Sequence, residues 1–208
     1  FTAVFYTLGW YVHHKMKLEG SGLALTAVAS FLIPLDLYTY YISGGFPPGS
    51  WPTVWLAGSI FCLIIYTLTT YAMRSEILGY LIPLAAGSTA LALSYWFNLP
   101  SHWWPLTFTA VPFLLALLAS FIKKAPPFRL LKRPFQHMAY TLSVPVLIIQ
   151  TAAFPLNPNT QLALALGLSW WLTTVILLLA IRPYPLQLTA LATLLTVPIG
   201  LWLTQTWL

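Results

Sequence analysis

The sequence predicts an all-α, polytopic transmembrane helix bundle of about seven full spans preceded by a partial one, and three observations carry that prediction. Charged residues make up 6% of 208 positions and hydrophobic residues 59%, whereas ordinary soluble domains carry about 25% charged residues. The apolar residues gather into runs of about 20, the length a helix needs to cross a hydrocarbon layer of ~30 Å. The basic residues fall in every second connector between those runs, the asymmetry that positive-inside topology produces.

Three acids and nine Lys or Arg cannot furnish the polar shell of a water-soluble fold of this length. The formal net charge of +6 does not mark a nucleic-acid binder, because the positive residues occupy short connectors and not one polar face. Cys62 is the single cysteine, which excludes an intrachain disulfide and a CxxC-type metal site.

Taken in order, residues 1–12 form the partial span. They lack the basic flank and cleavage site of a secretory signal. Full spans follow at roughly 23–42, 51–73, 77–97, 103–122, 136–154, 161–181 and 186–206, with Asp36 the one formally charged side chain inside them. Connectors 13–22, 74–76, 123–134 and 182–185 hold every Lys and Arg, and 43–50, 98–102 and 155–159 hold none. A miscounted helix would break this alternation. The basic connectors are therefore expected on the cytoplasmic face of a bacterial inner (or internal) membrane, and both ends of the chain on the other. The chain opens on Phe1 inside an apolar run and stops at Leu208 with no polar tail, which reads as a single transmembrane domain taken from a longer chain.

Aromatic residues gather toward the uncharged side. Trp51, Trp55, Trp96, Trp103, Trp104 and Trp207, with Tyr38, Tyr40, Tyr41 and Tyr95, read as an interfacial belt. Helices running outward from the basic side each carry a β-branched residue before a proline, at Pro34, Pro83, Pro145 and Pro198. The first two share the tetrapeptide Leu-Ile-Pro-Leu. One such proline per hairpin predicts a tandem array of antiparallel hairpins. Each proline removes a backbone hydrogen bond and is expected to kink its helix. The freed carbonyl needs a partner in lipid, for which Ser30, Ser88, Thr89, Ser143 and Thr196 are near in sequence.

Few residues offer chemistry. Asp36 is the leading polar candidate, since an intramembrane carboxylate is costly, and Thr39 and Tyr40 follow at helical spacing on its face. A hydrogen-bonded carboxyl near the outer interface is the simpler reading, because a cation or proton site calls for a second acid. His13 and His14 point about 100° apart on a helix and cannot share a ligand face. A bis-His haem between His14 and His137 would lie at the interface, so no cofactor and no metal is indicated. Lys123, Lys124, Arg129, Lys132 and Arg133 form a basic stretch without acids, expected to meet anionic lipid headgroups. Trp170 and Trp171 lie midway along their span and are expected to pack in the core or against another helix. No catalytic triad, HExxH or phosphate loop is present.

The segment Glu19-Gly20-Ser21-Gly22-Leu23-Ala24-Leu25, running on to Leu32-Ile33-Pro34-Leu35-Asp36-Leu37-Tyr38, resembles a pattern of uncharacterised bacterial multi-pass membrane proteins. Those proteins repeat a Gly-Leu-Ala-Leu stretch and a Pro-Leu-Asn/Asp over many hairpins, and Asp36 stands where Asn is expected. The resemblance implies a hairpin array and no activity. The composition itself points to a non-catalytic membrane subunit or module that scaffolds or anchors a larger assembly, with membrane lipids and other membrane subunits as partners. The alternative is a transporter or channel for a small or lipidic substrate, its path lined by the proline-bearing helices and Asp36. A lipid-directed enzyme using His102 or Asp36 as base ranks below both.

Overall fold

The computed structural model describes residues 2–122, 128–153, 160–180, 196–197 and 199–200. The described residues are mostly helical, without strands. The elements are α1 (Thr2–His14), α2 (Glu19–Ile42), α3 (Trp51–Met73), the single turn α4 (Glu76–Gly79), α5 (Leu81–Trp96), a 3-10 turn at Ser101–Trp103, α6 (Trp104–Phe121), α7 (Arg129–Ala153) and α8 (Thr160–Ala180). Five helical segments are long and apolar enough to cross a membrane: Glu19–Ile42, Trp51–Met73, Glu76–Trp96, Ser101–Phe121 and Thr160–Leu179. The expected span at 136–154 falls inside α7, which is not among the five. Its first turns hold Arg129, Lys132 and Arg133, and Gln136, His137, Thr141 and Ser143 dilute the rest. The span expected at 186–206 lies outside the described residues but for short helical pieces at 196–197 and 199–200.

Two boundaries differ from the sequence expectation. The basic connector at 13–22 is shorter, because α1 continues through His14 and α2 already begins at Glu19. Lys17 turns the chain with φ 56°. Glycines 20 and 22 belong to the helix because Gly22 is an interface residue there. Likewise 129–134 is the start of α7, not a connector.

The chain divides into two compact units, Phe1–Trp96 and Phe97–Leu208. In the first, α1 and α2 run antiparallel. Thr2 lies against Asp36, Tyr6 against Ser30, and Gly9 against Thr26. A methyl group on Gly9 would come within 2.5 Å of the Thr26 hydroxyl, and one on Gly22 within 2.8 Å of the His13 backbone. The seam thus needs small residues for close backbone approach, the usual device where lipid offers no hydrophobic drive between helices. Next, α3 packs against both α2 and α5, whereas α2 and α5 share no extensive interface of their own. That leaves a cleft floored by α3.

Buried hydroxyls in the helices mostly turn back on their own backbone. Thr26, Ser30, Thr70, Thr109, Ser169, Thr173 and Thr174 each donate to the carbonyl four residues earlier. In hydrocarbon an unpaired hydroxyl costs several kcal/mol, so this local bond is the cheapest way to carry Ser or Thr into a span. In the second unit α6 presents a buried stripe of Pro105, Thr109, Pro112, Leu115, Ala116 and Ala119. Both α7 and α8 pack against α6. Trp170 is buried with Leu166, Leu162 and Ile199 around it, as expected of a core ring, while Trp171 is 38% exposed.

Candidate functional site

The prolines define the first site. Pro34 cannot donate to the Ser30 carbonyl, yet α2 continues unbroken from Glu19 to Ile42. The Tyr66 hydroxyl, reaching from α3, donates to that carbonyl at 2.7 Å. The Ser30 hydroxyl gives its proton to the Thr26 carbonyl at 2.8 Å, so Tyr6 is the donor in the 2.7 Å Tyr6–Ser30 contact. Residue 30 therefore ties α1, α2 and α3 together. A neighbouring helix, a Ser or Thr hydroxyl or water could serve the freed carbonyl; a tyrosine of the next helix takes that place.

Pro83 behaves differently. Its missing donor belongs to the Gly79 carbonyl, and α4 ends at Gly79 while α5 resumes at Leu81. The two Leu-Ile-Pro-Leu copies are thus not equivalent. Pro34 is exposed in mid-helix, whereas Pro83 is buried in the first turn of α5, where a missing N–H is harmless. Pro145 lies within α7, and Pro198 lies outside the described residues. Pro112, inside α6, belongs to no repeat and was not singled out by the sequence pattern.

Around Pro34 opens a cavity of about 360 Å³ between α2 and α5. Phe31, Pro34 and Tyr38 wall it from α2, Trp55, Ser59 and Cys62 floor it from α3, and Leu84 and Ser88 close it from α5. Its polar centre is a relay. The Trp55 indole N–H donates to the Ser88 hydroxyl at 3.0 Å, and the Ser59 and Ser88 hydroxyls bond each other at 2.8 Å. An aromatic ladder borders the cavity on the uncharged side. Trp51 packs against Tyr38 (5.7 Å), Tyr41 (4.8 Å) and Trp55 (6.2 Å), and Trp55 against Tyr95 (6.3 Å). Residues that read as an interfacial belt therefore also join α2, α3 and α5.

Asp36 is elsewhere. Two residues on from Pro34, it points about 200° around the helix into a second groove of about 600 Å³ with Thr2, Tyr6 and Tyr40. Its carboxylate accepts from the Thr2 hydroxyl at 2.5 Å. Asp36 thus lines a groove other than the cavity around Pro34. Tyr40 does share the groove with Asp36, but Thr39 is not part of its lining. The Tyr40 ring also stands edge-on to Phe46 at 5.0 Å.

His14 stacks on Trp10 at 5.1 Å and approaches His13 at 4.8 Å. His14 and His137 belong to different units, as do Asp36 and His102. Among the described residues no group of three His, Cys, Asp or Glu side chains gathers to hold a metal. Arg129 and Arg133 are exposed and Lys132 half-buried at the start of α7, while Leu131 and Phe135 turn inward. Lys123 and Lys124 lie outside the described residues.

Sequence reasoning missed Tyr66, Ser59 and the Trp55 indole as site residues. A Tyr and a Ser inside an apolar run carry no signal until the helix facing them is known. These features define a helical protein with several helices long and apolar enough to cross a membrane and a cavity lined by uncharged side chains. No family model matches the chain, and no curated protein and no solved structure does either.

Proposed function

We propose that the chain is a non-catalytic, membrane-embedded module that scaffolds or anchors a larger membrane assembly. The observation that carries this reading is where its intramembrane polar groups go. Tyr6, Ser30 and Tyr66 clasp three helices, and the buried threonines bond their own backbone. Polarity in the spans thus holds helices together, while large apolar side chains such as Phe31, Phe61, Leu68, Leu114 and Phe121 face outward. In this reading seven spans and a partial one form successive antiparallel hairpins in a bacterial inner membrane, with the basic connectors cytoplasmic. The membrane lipids and other membrane subunits are its partners, and Lys123, Lys124, Arg129, Lys132 and Arg133 meet lipid headgroups.

The test is the native mass and absorption spectrum of the protein after gentle detergent extraction. A large assembly supports the module, and a monomer or small homo-oligomer removes it. Sidedness is tested separately: single cysteines at Ser43 and Lys124, in a Cys62→Ser background, label from opposite faces of the membrane, and labelling from one face refutes the span count.

The Pro34 cavity favours a second reading, a transporter or channel for a small or lipidic substrate. Because Asp36 faces another groove, such transport would survive Asp36→Asn. Flux into liposomes that disappears in this variant would return Asp36 to the path.

A further inference from the structure

We infer that the cavity between α2 and α5 is a binding site for a neutral carbonyl-bearing ring on an apolar tail, of the quinone type. The inference goes beyond the scaffolding reading and does not depend on it. Three donors meet at the cavity centre: the Trp55 N–H and the hydroxyls of Ser59 and Ser88. Two hydrogen bonds join them, so whichever serine ends the relay keeps one proton to donate. Neither serine folds back on its own helix as the buried threonines do. The relay therefore leaves one hydroxyl proton to donate, and no side chain lining the cavity carries a formal charge, which suits an acceptor oxygen of a neutral ligand.

Depth narrows the class. Ser59 follows Trp51 by eight residues, and Ser88 precedes Trp96 by eight, so both lie ~12 Å below the aromatic end at 1.5 Å per residue. Glycerol esters of phospholipids stay near headgroup level, where Trp and Tyr also gather. A ring carbonyl on a membrane-soluble molecule can descend to the serines. Phe31, Tyr38 and Trp55 supply aromatic walls for such a ring, and about 360 Å³ lies within the range of small-molecule pockets. Phe31 and Leu84 stand exposed at its rim, which leaves a way in from the lipid.

The experiment uses the full chain in lipid nanodiscs with an azido-benzoquinone carrying a decyl tail, and maps adducts by mass spectrometry. Adducts are expected in 51–62 and 81–88, and excess unlabelled decyl-benzoquinone suppresses them. Ser59→Ala with Ser88→Ala weakens the apparent affinity about five- to tenfold, the worth of one hydrogen bond. Leu84→Trp at the rim, with Ala85→Phe as a second blocking variant, abolishes the adducts. Near-ultraviolet dichroism identifies which variants keep native packing. Adducts that persist in correctly folded blocking variants overturn the site. So does suppression by phospholipid but not by the unlabelled quinone, which would make the occupant an ordinary acyl chain.

Discussion

Tyr66→Phe removes one hydroxyl and almost no volume from a residue only 6% exposed. It leaves the Ser30 carbonyl, already deprived of a donor by Pro34, without the bond that Tyr66 supplies at 2.7 Å. An orphaned buried acceptor costs about 1–3 kcal/mol, and interhelical hydrogen bonds in membranes average ~0.6 and reach ~1.7 kcal/mol. A loss of about 1.5 kcal/mol is expected. Pro34→Ala restores an N–H that can bond the same carbonyl, so in that background Tyr66→Phe should cost no more than about 0.5 kcal/mol, the range of an unremarkable substitution. The difference, about 1 kcal/mol, exceeds the ~0.3–0.5 kcal/mol within which independent sites add. Reversible unfolding in mixed micelles, followed by dichroism, measures all four corners of the cycle. Equal cost of Tyr66→Phe in both backgrounds would refute the account of how α2 tolerates its proline.

Gly9→Ile should force α1 away from α2, at about 1–3 kcal/mol for overpacking, because its Cβ meets the Thr26 hydroxyl and the Gly22 carbonyl. The check is disulfide yield between Thr2→Cys and Asp36→Cys in a Cys62→Ser background, which falls; Gly20→Ala, with nothing within 4 Å, leaves it unchanged. Asp36→Asn keeps an acceptor for Thr2 and should shift unfolding by less than about 0.5 kcal/mol. A larger loss would show that the charge itself matters. Replacing Arg129, Lys132 and Arg133 by Gln should lower preference for anionic over zwitterionic lipid by about 1 kcal/mol per residue. Lipid retained in native mass spectra reads this directly.

The helical class and the five helices long and apolar enough to cross a membrane were legible in the sequence, because lipid imposes a length and an apolarity on any segment that crosses it. The interface glycine at 22 was legible only as part of a motif, since its value lies in His13 on the facing helix. Pro34 and Pro83 looked alike because four residues matched. They diverged because the neighbours that satisfy a freed carbonyl come from elsewhere in the chain. Asp36 drew notice through its charge, yet the cavity with the richer hydrogen bonding is built from Ser59, Ser88 and Trp55. Ser59 is unremarkable in sequence, Trp55 read as part of the aromatic belt and Ser88 as a partner for a freed carbonyl, and only the packing of α3 against α5 brings them together.

The stacked indoles of Trp51 and Trp55, 6.2 Å apart and 20° from parallel, have an optical consequence. Chromophores fixed that closely couple their electronic transitions, and the resulting dichroism depends on their mutual angle. Trp51 also touches Tyr38 and Tyr41 on α2, and Trp55 touches Tyr95 on α5. The signal therefore reads the relative placement of three helices at once. Both indoles border the cavity, so the protein carries an unlabelled gauge of its own assembly that also responds when the cavity fills.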